Sequence, residues 1–282
     1  MTNTQSSPYN KGADKHEYCA RAASHQYFTT VLGGLVSRMI RMQEVSTVLD
    51  VGCSEGSWVL DLARQYPRIH VTGVDVNEAA LDEARRFARF YGVSNATFGR
   101  MDVTLPLYFK NNAFDLVHMR TAQFLYDARF DGILEELTRI LRPGGWLNLI
   151  EFEPGATSSI AFDRLLHLFI HTIHTARKKP SSEAPNVGTA AQLYDVLLNA
   201  YLLDVSYTVH AVDFSVANTP NAKAFIDEVL LAIRSVKAIV CRLNAISSVD
   251  YDALLTQAYE NMRRLDTCGY GYLISVVGCK NG

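Results

Sequence analysis

The sequence predicts an α/β fold with a mostly parallel sheet, and three observations carry this prediction. From Ser46 to about residue 151, short apolar runs typical of buried strands alternate with amphipathic helical stretches, as in βαβ units. A turn containing Gly52 and Gly56 directly follows the first of these runs. The second run ends on an acid, Asp75, at the sheet edge where open parallel sheets bind ligands.

The predicted elements follow from this alternation. Strands are expected at 47–51, 70–75, 96–100, 114–119 and 146–151, with helices at about 56–65, 78–91 and 131–141. The helix before the fifth strand should end at Arg142-Pro143-Gly144-Gly145, because proline and glycine stop a helix and turn the chain. Later in the chain we expect helices at 158–179, 189–201, 222–237 and 251–265, and strands at 203–216 and 271–279.

These elements predict a chain of four parts. Residues 1–44 form a helical N-terminal extension or lid, in which apolar spacing over 16–42 indicates two helices broken near Gly33-Gly34. Residues 45–152 form the α/β core, and 203–282 complete it with its last two strands. Between them, 153–202 read as a helical cap insertion over the carboxyl ends of the strands.

Composition narrows the class of protein. The 282 residues are 48% hydrophobic and 20% charged, as in an ordinary globular protein. The 27 Lys and Arg against 29 Asp and Glu give a net charge of −2, which disfavours a nucleic-acid partner because phosphate contacts need a basic face. Five cysteines without a C-x-x-C pair, a polar N-terminus and no apolar run of membrane length predict a cytoplasmic protein without a membrane span.

The turn at 52–56 fits two readings when it is taken alone. Its glycines let the backbone approach a ligand, yet Ser54 stands where a third glycine is common, so an ordinary tight turn explains it equally well. Asp75 can accept both hydrogen bonds of a ribose diol, which also suits a nicotinamide dinucleotide. Asp50 discriminates between cofactors, because an acid there repels a pyrophosphate and attracts a cationic amino-acid tail.

Five motifs in order resemble the class I S-adenosylmethionine-dependent methyltransferases: residues 49–56, 73–77, 101–103, 114–117 and 141–145. The resemblance spans about 45–152 and, more loosely, the final strand. Within the family, the core is similar to enzymes of ubiquinone and menaquinone biosynthesis and of natural-product tailoring. It implies a Rossmann-like seven-stranded sheet with an antiparallel last strand. It also implies S-adenosyl-L-methionine as the cofactor and S-adenosyl-L-homocysteine as the product.

The same resemblance implies where the cofactor would lie. Asp50 would face the amino group of the methionine part, Asp75 the ribose hydroxyls, Asp102 the adenine edge, and Arg120 the sulfonium and the substrate entrance. The full set of implied cofactor-binding residues is Asp50, Gly52, Ser54, Gly56, Asp75, Val76, Met101, Asp102, Val103, Met119 and Arg120.

No single residue is demanded by methyl transfer, because positioning and desolvation suffice unless the acceptor must lose a proton. The candidates for a base or a substrate contact are His171, His25 and Glu151, each with a structural role as the alternative. His171 shares a predicted helix face with His167 and His174. This face fits a pocket wall, a plain surface or core, or a metal site, but no third-ligand motif accompanies it and we predict no metal.

The leading hypothesis is a methyltransferase acting at oxygen, nitrogen or carbon of a small, partly apolar molecule, without a nucleic-acid partner. A homodimer is left open. One alternative is a member of the fold that keeps the cofactor as a cyclase, an isomerase or a regulatory binder. A second is a nicotinamide oxidoreductase, which the spacing Gly52-x-Ser54-x-Gly56 and the acid Asp50 disfavour.

Overall fold

The computed structural model describes residues 15–120, 130–176, 189–219 and 222–282 of the chain. Its centre is a seven-stranded sheet in the order β3-β2-β1-β4-β5-β7-β6. The strands are β1 (Thr47–Val51), β2 (His70–Asp75), β3 (Ala96–Arg100), β4 (Phe114–Arg120), β5 (Leu141–Thr157), β6 (Leu202–Asp213) and β7 (Gly269–Lys280). Strands β1 to β5 pair in parallel, and β7 runs antiparallel to both β5 and β6. The predicted fold class is therefore confirmed.

Nine helices flank this sheet in the described part of the chain. They are α1 (Lys15–Leu32), α2 (Ser57–Gln65), α3 (Glu78–Phe90), α4 (Phe130–Ile140), α5 (Ile160–Ala176), α6 (Thr189–Asn199), α7 (Ala222–Ser235), α8 (Lys237–Asn244) and α9 (Ser248–Met262). None of the helices in these described ranges is both long enough and apolar enough to cross a membrane.

Both faces of the sheet are buried at the central strands β1 and β4, which explains why these strands are nearly continuous apolar runs, whereas the edge strands β3 and β6 are largely exposed or half-buried. Along β1, Val48 packs with Trp58 of α2, whereas the next residue, Leu49, packs with Leu137 of α4 on the opposite face. A third core cluster, rich in aromatic residues such as Phe225, joins α1, α5, α7 and α9 to strands β5, β6 and β7.

The N-terminal extension differs from its prediction. Helix α1 forms as one of the two expected helices and ends at two glycines with positive φ, Gly33 at 72° and Gly34 at 154°. The Gly34 N–H donates to the Thr29 carbonyl at 3.0 Å and closes the helix end. The prediction of a second helix before residue 42 was wrong, since only a 3₁₀ turn, Met42–Glu44, follows α1.

Strand β5 begins five residues earlier than predicted. The Arg142-Pro143-Gly144-Gly145 segment, expected as the turn before this strand, is a bulge inside it, because the pairing with β4 jumps from Phe114↔Leu141 to Leu116↔Trp146. Gly144 adopts φ +77°, which a residue without Cβ takes readily. Helix α8 was also missed, since one helix was predicted over 222–237 and none directly after it.

The two inserted helices occupy different places. Helix α5 packs against α8 and α9, whereas α6 packs against β6 and β7 and contributes Leu193 and Leu197 to the core beside the sheet. Helix α6 therefore covers a face of the sheet. The division of the chain into four parts stays a prediction.

Candidate functional site

The turn after β1 lies at the carboxyl edge of the sheet and is fixed there by backbone hydrogen bonds. The N–H groups of Gly52 and Cys53 both donate to the Val74 carbonyl on β2, at 2.8 and 3.0 Å. Gly56 adopts φ +78°, and a Cβ on it would lie 2.7 Å from the Phe98 ring, so only glycine fits there. Helix α2 starts at the next residue and leaves its first N–H groups facing this edge.

Asp75 at the end of β2 organises the turn. Its Oδ2 accepts the Ser54 N–H at 2.9 Å and its Oδ1 accepts the Asn77 N–H at 2.8 Å. Ser54, where glycine is commoner, adopts φ +51°, and Arg21 of α1 donates to its Oγ at 2.5 Å. Each carboxylate oxygen of Asp75 keeps a second lone pair, so the carboxylate can still accept hydrogen bonds from a diol.

Two further carboxyl groups are buried at this turn. Asp50 is 5% exposed, and its burial, reinforced by the neighbouring Asp75 and Glu55, raises its pKa to about 8, although Arg120 opposes the rise. Glu55 is 3% exposed. Its Oε1 accepts the Ser57 hydroxyl at 2.9 Å, while its Oε2 is buried without a hydrogen bond. The turn is therefore an acidic site, suited to a cationic ligand.

Helix α1 is tied to this site through His25. Arg120 Nη1, which can only donate, lies 3.3 Å from His25 Nδ1, so the imidazole Nε2–H donates to Asp61 Oδ2 at 3.1 Å. Burial lowers the pKa of His25, and the hydrogen bond from His25 lowers the pKa of Asp61. Because both ring nitrogens are engaged, the geometry favours the structural alternative for His25, which holds the guanidinium of Arg120 in place.

The residues predicted to contact the adenine lie next to Asp75. The Met101 N–H donates to the Asp75 carbonyl at 3.0 Å, which brings 101–103 beside the end of β2. Asp102 is exposed and its Oδ1 accepts both the N–H and the hydroxyl of Thr104, at 2.9 and 2.7 Å. Val76 and Val103 are half-buried. These four residues stay predictions as cofactor contacts.

The side chains of Met119 and Arg120, at the end of β4, lie in different surroundings. Met119 is 1% exposed and packs into the core with Leu49 and Leu137. Arg120 reaches the acidic turn, and its guanidinium lies 5.2 Å from the centre of the Phe28 ring of α1, within cation–π range. Of the two, Arg120 is the one that the structure brings to the site.

The remaining catalytic candidates lie apart from each other. Glu151 is buried on β5, in register with Ile274 of β7. His171 lines a groove between α5 and the α8–α9 connection, and no described residue of the 52–56 turn lines that groove. His167 is exposed and His174 is buried, so the three histidines do not share one environment. Over the described ranges, no group of three or more His, Cys, Asp or Glu residues could hold a metal.

Sequence reasoning missed Glu228 of α7. Its Oε2 is completely buried and makes no hydrogen bond. Burial raises the pKa of Glu228, while Ser24, Arg120 and Arg21 oppose the rise, so this carboxyl lies on the α1 side of the same site. Nothing in an ordinary amphipathic helix singles out such a residue, because its neighbours are set by how α7 packs on α1.

Comparisons with known proteins find a family match over the part of the chain that contains this turn. Residues 48–145 match a protein family described as a methyltransferase domain. The secondary metabolism regulator laeA of Coprinopsis cinerea is 28% identical over 160 residues, 54% of this chain and 38% of that protein. The sterol 24-C-methyltransferase erg-4 of Neurospora crassa is 25% identical over 154 residues, 51% of this chain and 40% of that protein. The match thus spans 38 to 40% of the length of these relatives.

Solved structures share the fold. Phosphoethanolamine N-methyltransferase 2 of Haemonchus contortus, in complex with S-adenosyl-L-methionine, aligns with a TM-score of 0.55 at 17% identity, covering 94% of this chain and 57% of that one. Geranyl diphosphate C-methyltransferase from Streptomyces coelicolor aligns with a TM-score of 0.51 at 15% identity, covering 97% and 87%. Residues 48–145 therefore match a methyltransferase domain, and the chain shares the fold of these solved methyltransferases.

Proposed function

We propose that this chain is an S-adenosylmethionine-dependent methyltransferase that acts at oxygen, nitrogen or carbon of a small, partly apolar molecule. The observation that carries the proposal is the acidic turn, where Asp50, Glu55 and Asp75 lie close enough to influence one another. A dinucleotide would bring its pyrophosphate to such a turn and be repelled, whereas a sulfonium cofactor with an ammonium group gains attraction.

The residues present fit this cofactor. Asp75 offers two carboxylate oxygens for the ribose hydroxyls, and Asp50 offers a buried carboxyl for the ammonium group. Gly52 and Gly56 let the backbone approach the ligand closely, and Ser54 completes the turn. When bound, the cofactor supplies an electrophilic methyl group on a positively charged sulfur.

The chain itself would orient the reactants and exclude water. Arg120 is fixed by His25 and by the Phe28 ring, so its guanidinium would border the substrate entrance with little loss of side-chain freedom. Val76, Met101, Asp102, Val103 and Met119 remain proposed cofactor contacts, and Glu151 remains a proposed catalytic residue. His171 lines the groove between α5 and the α8–α9 connection, apart from the described residues of the cofactor turn. A cytoplasmic location also stays a prediction, and a homodimer stays open.

The names of the relatives support a small, partly apolar acceptor. Besides the sterol methyltransferase, a fatty-acid O-methyltransferase of Mycolicibacterium smegmatis is 32% identical over 111 residues, covering 39% of each chain.

A second candidate function is a regulatory protein that keeps the cofactor. It is supported by the relative named as a secondary metabolism regulator. The two candidates differ in turnover, because a methyltransferase releases S-adenosyl-L-homocysteine in step with its methylated product and a regulatory binder does not.

Calorimetric titration tests the proposal. S-adenosyl-L-methionine and S-adenosyl-L-homocysteine should bind to the wild-type chain, whereas NAD⁺ and NADH should not. Asp75→Asn removes one acceptor for the ribose diol and should weaken binding at least tenfold, while the exposed Asp195→Asn on α6 is the matched control and should leave binding unchanged. Binding of NADH in preference to S-adenosyl-L-methionine would overturn the proposal.

A further inference from the structure

A groove of about 790 Å³ lies between α5 and the α8–α9 connection. One wall is a face of α5 with Arg164, His167, Leu168 and His171, and the other is formed by residues between 244 and 257. No described residue of the cofactor turn or of the sheet lines it. Its volume is in the range of sites that hold small organic molecules.

The α5 wall presents hydrogen-bond donors that the fold leaves unused. Arg164, His167 and His171 are spaced i, i+3 and i+7, so they follow one face of the helix. In the described part of the chain, no ion pair or hydrogen bond engages the Arg164 guanidinium. The imidazole of His171 lines the groove, and its Nδ1 atom is buried without a hydrogen bond.

The opposite wall carries one acid, and its carboxylate already accepts a hydrogen bond within the fold. Asp250 is the one acid among the described lining residues, and it is engaged in the cap of α9, where its Oδ2 accepts the Ser247 hydroxyl at 2.7 Å. The amide nitrogen of Asn244 is also occupied, since it donates to Thr172 Oγ1 and to the Val240 carbonyl, each at 2.9 Å. The unused polar groups of the groove therefore favour an anion.

Apolar side chains complete the groove. Leu168 of α5, Ile246 of the connection and Leu254 of α9 all line it. A ligand with a charged head and an apolar body would thus place its head near Arg164 and cover these three side chains with its body.

We propose that this groove is a second binding site, separate from the cofactor turn, for a small organic anion with an apolar body. Arg164 holds the anionic head, the imidazole of His171 provides a second polar contact, and Leu168, Ile246 and Leu254 contact the body. A ligand there bridges α5 to α9, so its binding stabilises the folded chain.

Four probes of one shape test the site in the full chain: benzoate, phenyl phosphate, benzylamine and benzyl alcohol. Dissociation constants are measured by ligand-observed NMR, with the melting temperature recorded for each mixture. Benzoate or phenyl phosphate should bind at least fivefold more tightly than benzylamine, and the tighter anion identifies a carboxylate or a phosphate as the preferred head.

Matched arginine variants assign the binding to the groove. Arg164→Gln should weaken binding of the anion at least fivefold, and His171→Gln should weaken it to a smaller extent. Arg68→Gln, an exposed arginine on the α2–β2 connection, should change nothing. Equal affinity for benzylamine and the anions, an unchanged affinity in Arg164→Gln, or no anion binding overturns the inference. Displacement of the anion by S-adenosyl-L-homocysteine also overturns it, because the two sites would then be one.

Discussion

Replacing Asp50 with asparagine should make the ligand-free protein more stable. Asp50 is 5% exposed and carries a pKa of about 8 because it is buried beside other carboxyl groups. In the unfolded chain its pKa returns to about 4. At pH 7 the folded protein must therefore keep a proton on Asp50 that the unfolded chain releases, which costs ~4 kcal/mol. Asparagine has nearly the same shape and carries no such cost.

The direction of the pH dependence follows from the linkage between protonation and folding. The folded-state pKa of Asp50 lies above its unfolded-state value, so the wild type loses stability as the pH rises from about 4 to about 8, and loses no more above that. The advantage of Asp50→Asn should grow from ~1.5 kcal/mol at pH 5 to ~4 kcal/mol at pH 7. At roughly 2–4 °C per kcal/mol, the difference in melting temperature between the two proteins should widen by about 5–10 °C over this range.

Differential scanning calorimetry at pH 5, 6, 7 and 8 measures this difference, with Asp195→Asn as the exposed control. Under the proposed function, the same Asp50→Asn variant should bind S-adenosyl-L-methionine at least tenfold more weakly, since it lacks the carboxylate for the ammonium group. A melting-temperature difference that does not change with pH, or an Asp50→Asn variant less stable than wild type at pH 7, would refute this reasoning.

Three further substitutions or reactions test other parts of the structure. Gly56→Ala should lower the free energy of unfolding in urea by about 2–4 kcal/mol, because the new Cβ meets Phe98 at 2.7 Å and φ is +78°; a loss below ~1 kcal/mol would contradict this. Asp115→Ala should cost about 2–4 kcal/mol in the same assay, since its Oδ2 accepts two backbone N–H groups at the start of β1, and a neutral result would count against it. Exposed Cys268 should react with a thiol reagent in the native protein, whereas Cys53, whose pKa burial raises, should react only after unfolding; early labelling of Cys53 would contradict the structure.

The α/β core could be predicted from sequence because its signals are local. The apolar run before Gly52 and the acid at Asp75 each lie within a few residues of the element that they mark. Their meeting in space follows from the parallel order of the strands, which brings carboxyl ends to one edge. Local sequence therefore suffices to place Asp75 beside the turn, and in the fold its carboxylate accepts the Ser54 N–H.

Features that depend on tertiary contacts were not predictable in the same way. The segment at 142–145 has the composition of a turn, yet pairing with β4 holds it inside a strand. His171 was expected near the reacting groups, but α5 turns that face toward α9. Glu228 carries no local signal, since only the packing of α7 against α1 brings it near Arg120. The surroundings of such residues are set by neighbours that are far away in the sequence.

The position of β7 between β5 and β6 has a consequence for how the chain folds. Strand β6 has no pairing with β5 and can join the sheet only through β7, which follows β6 by more than fifty residues of helix and connection. Until β7 is in place, the edge of β5 stays open over a stretch that later pairs from Trp146 to Thr157. We expect a partly synthesised chain to expose this apolar edge, so its yield should depend on chaperones that shield β5 until β7 pairs with it.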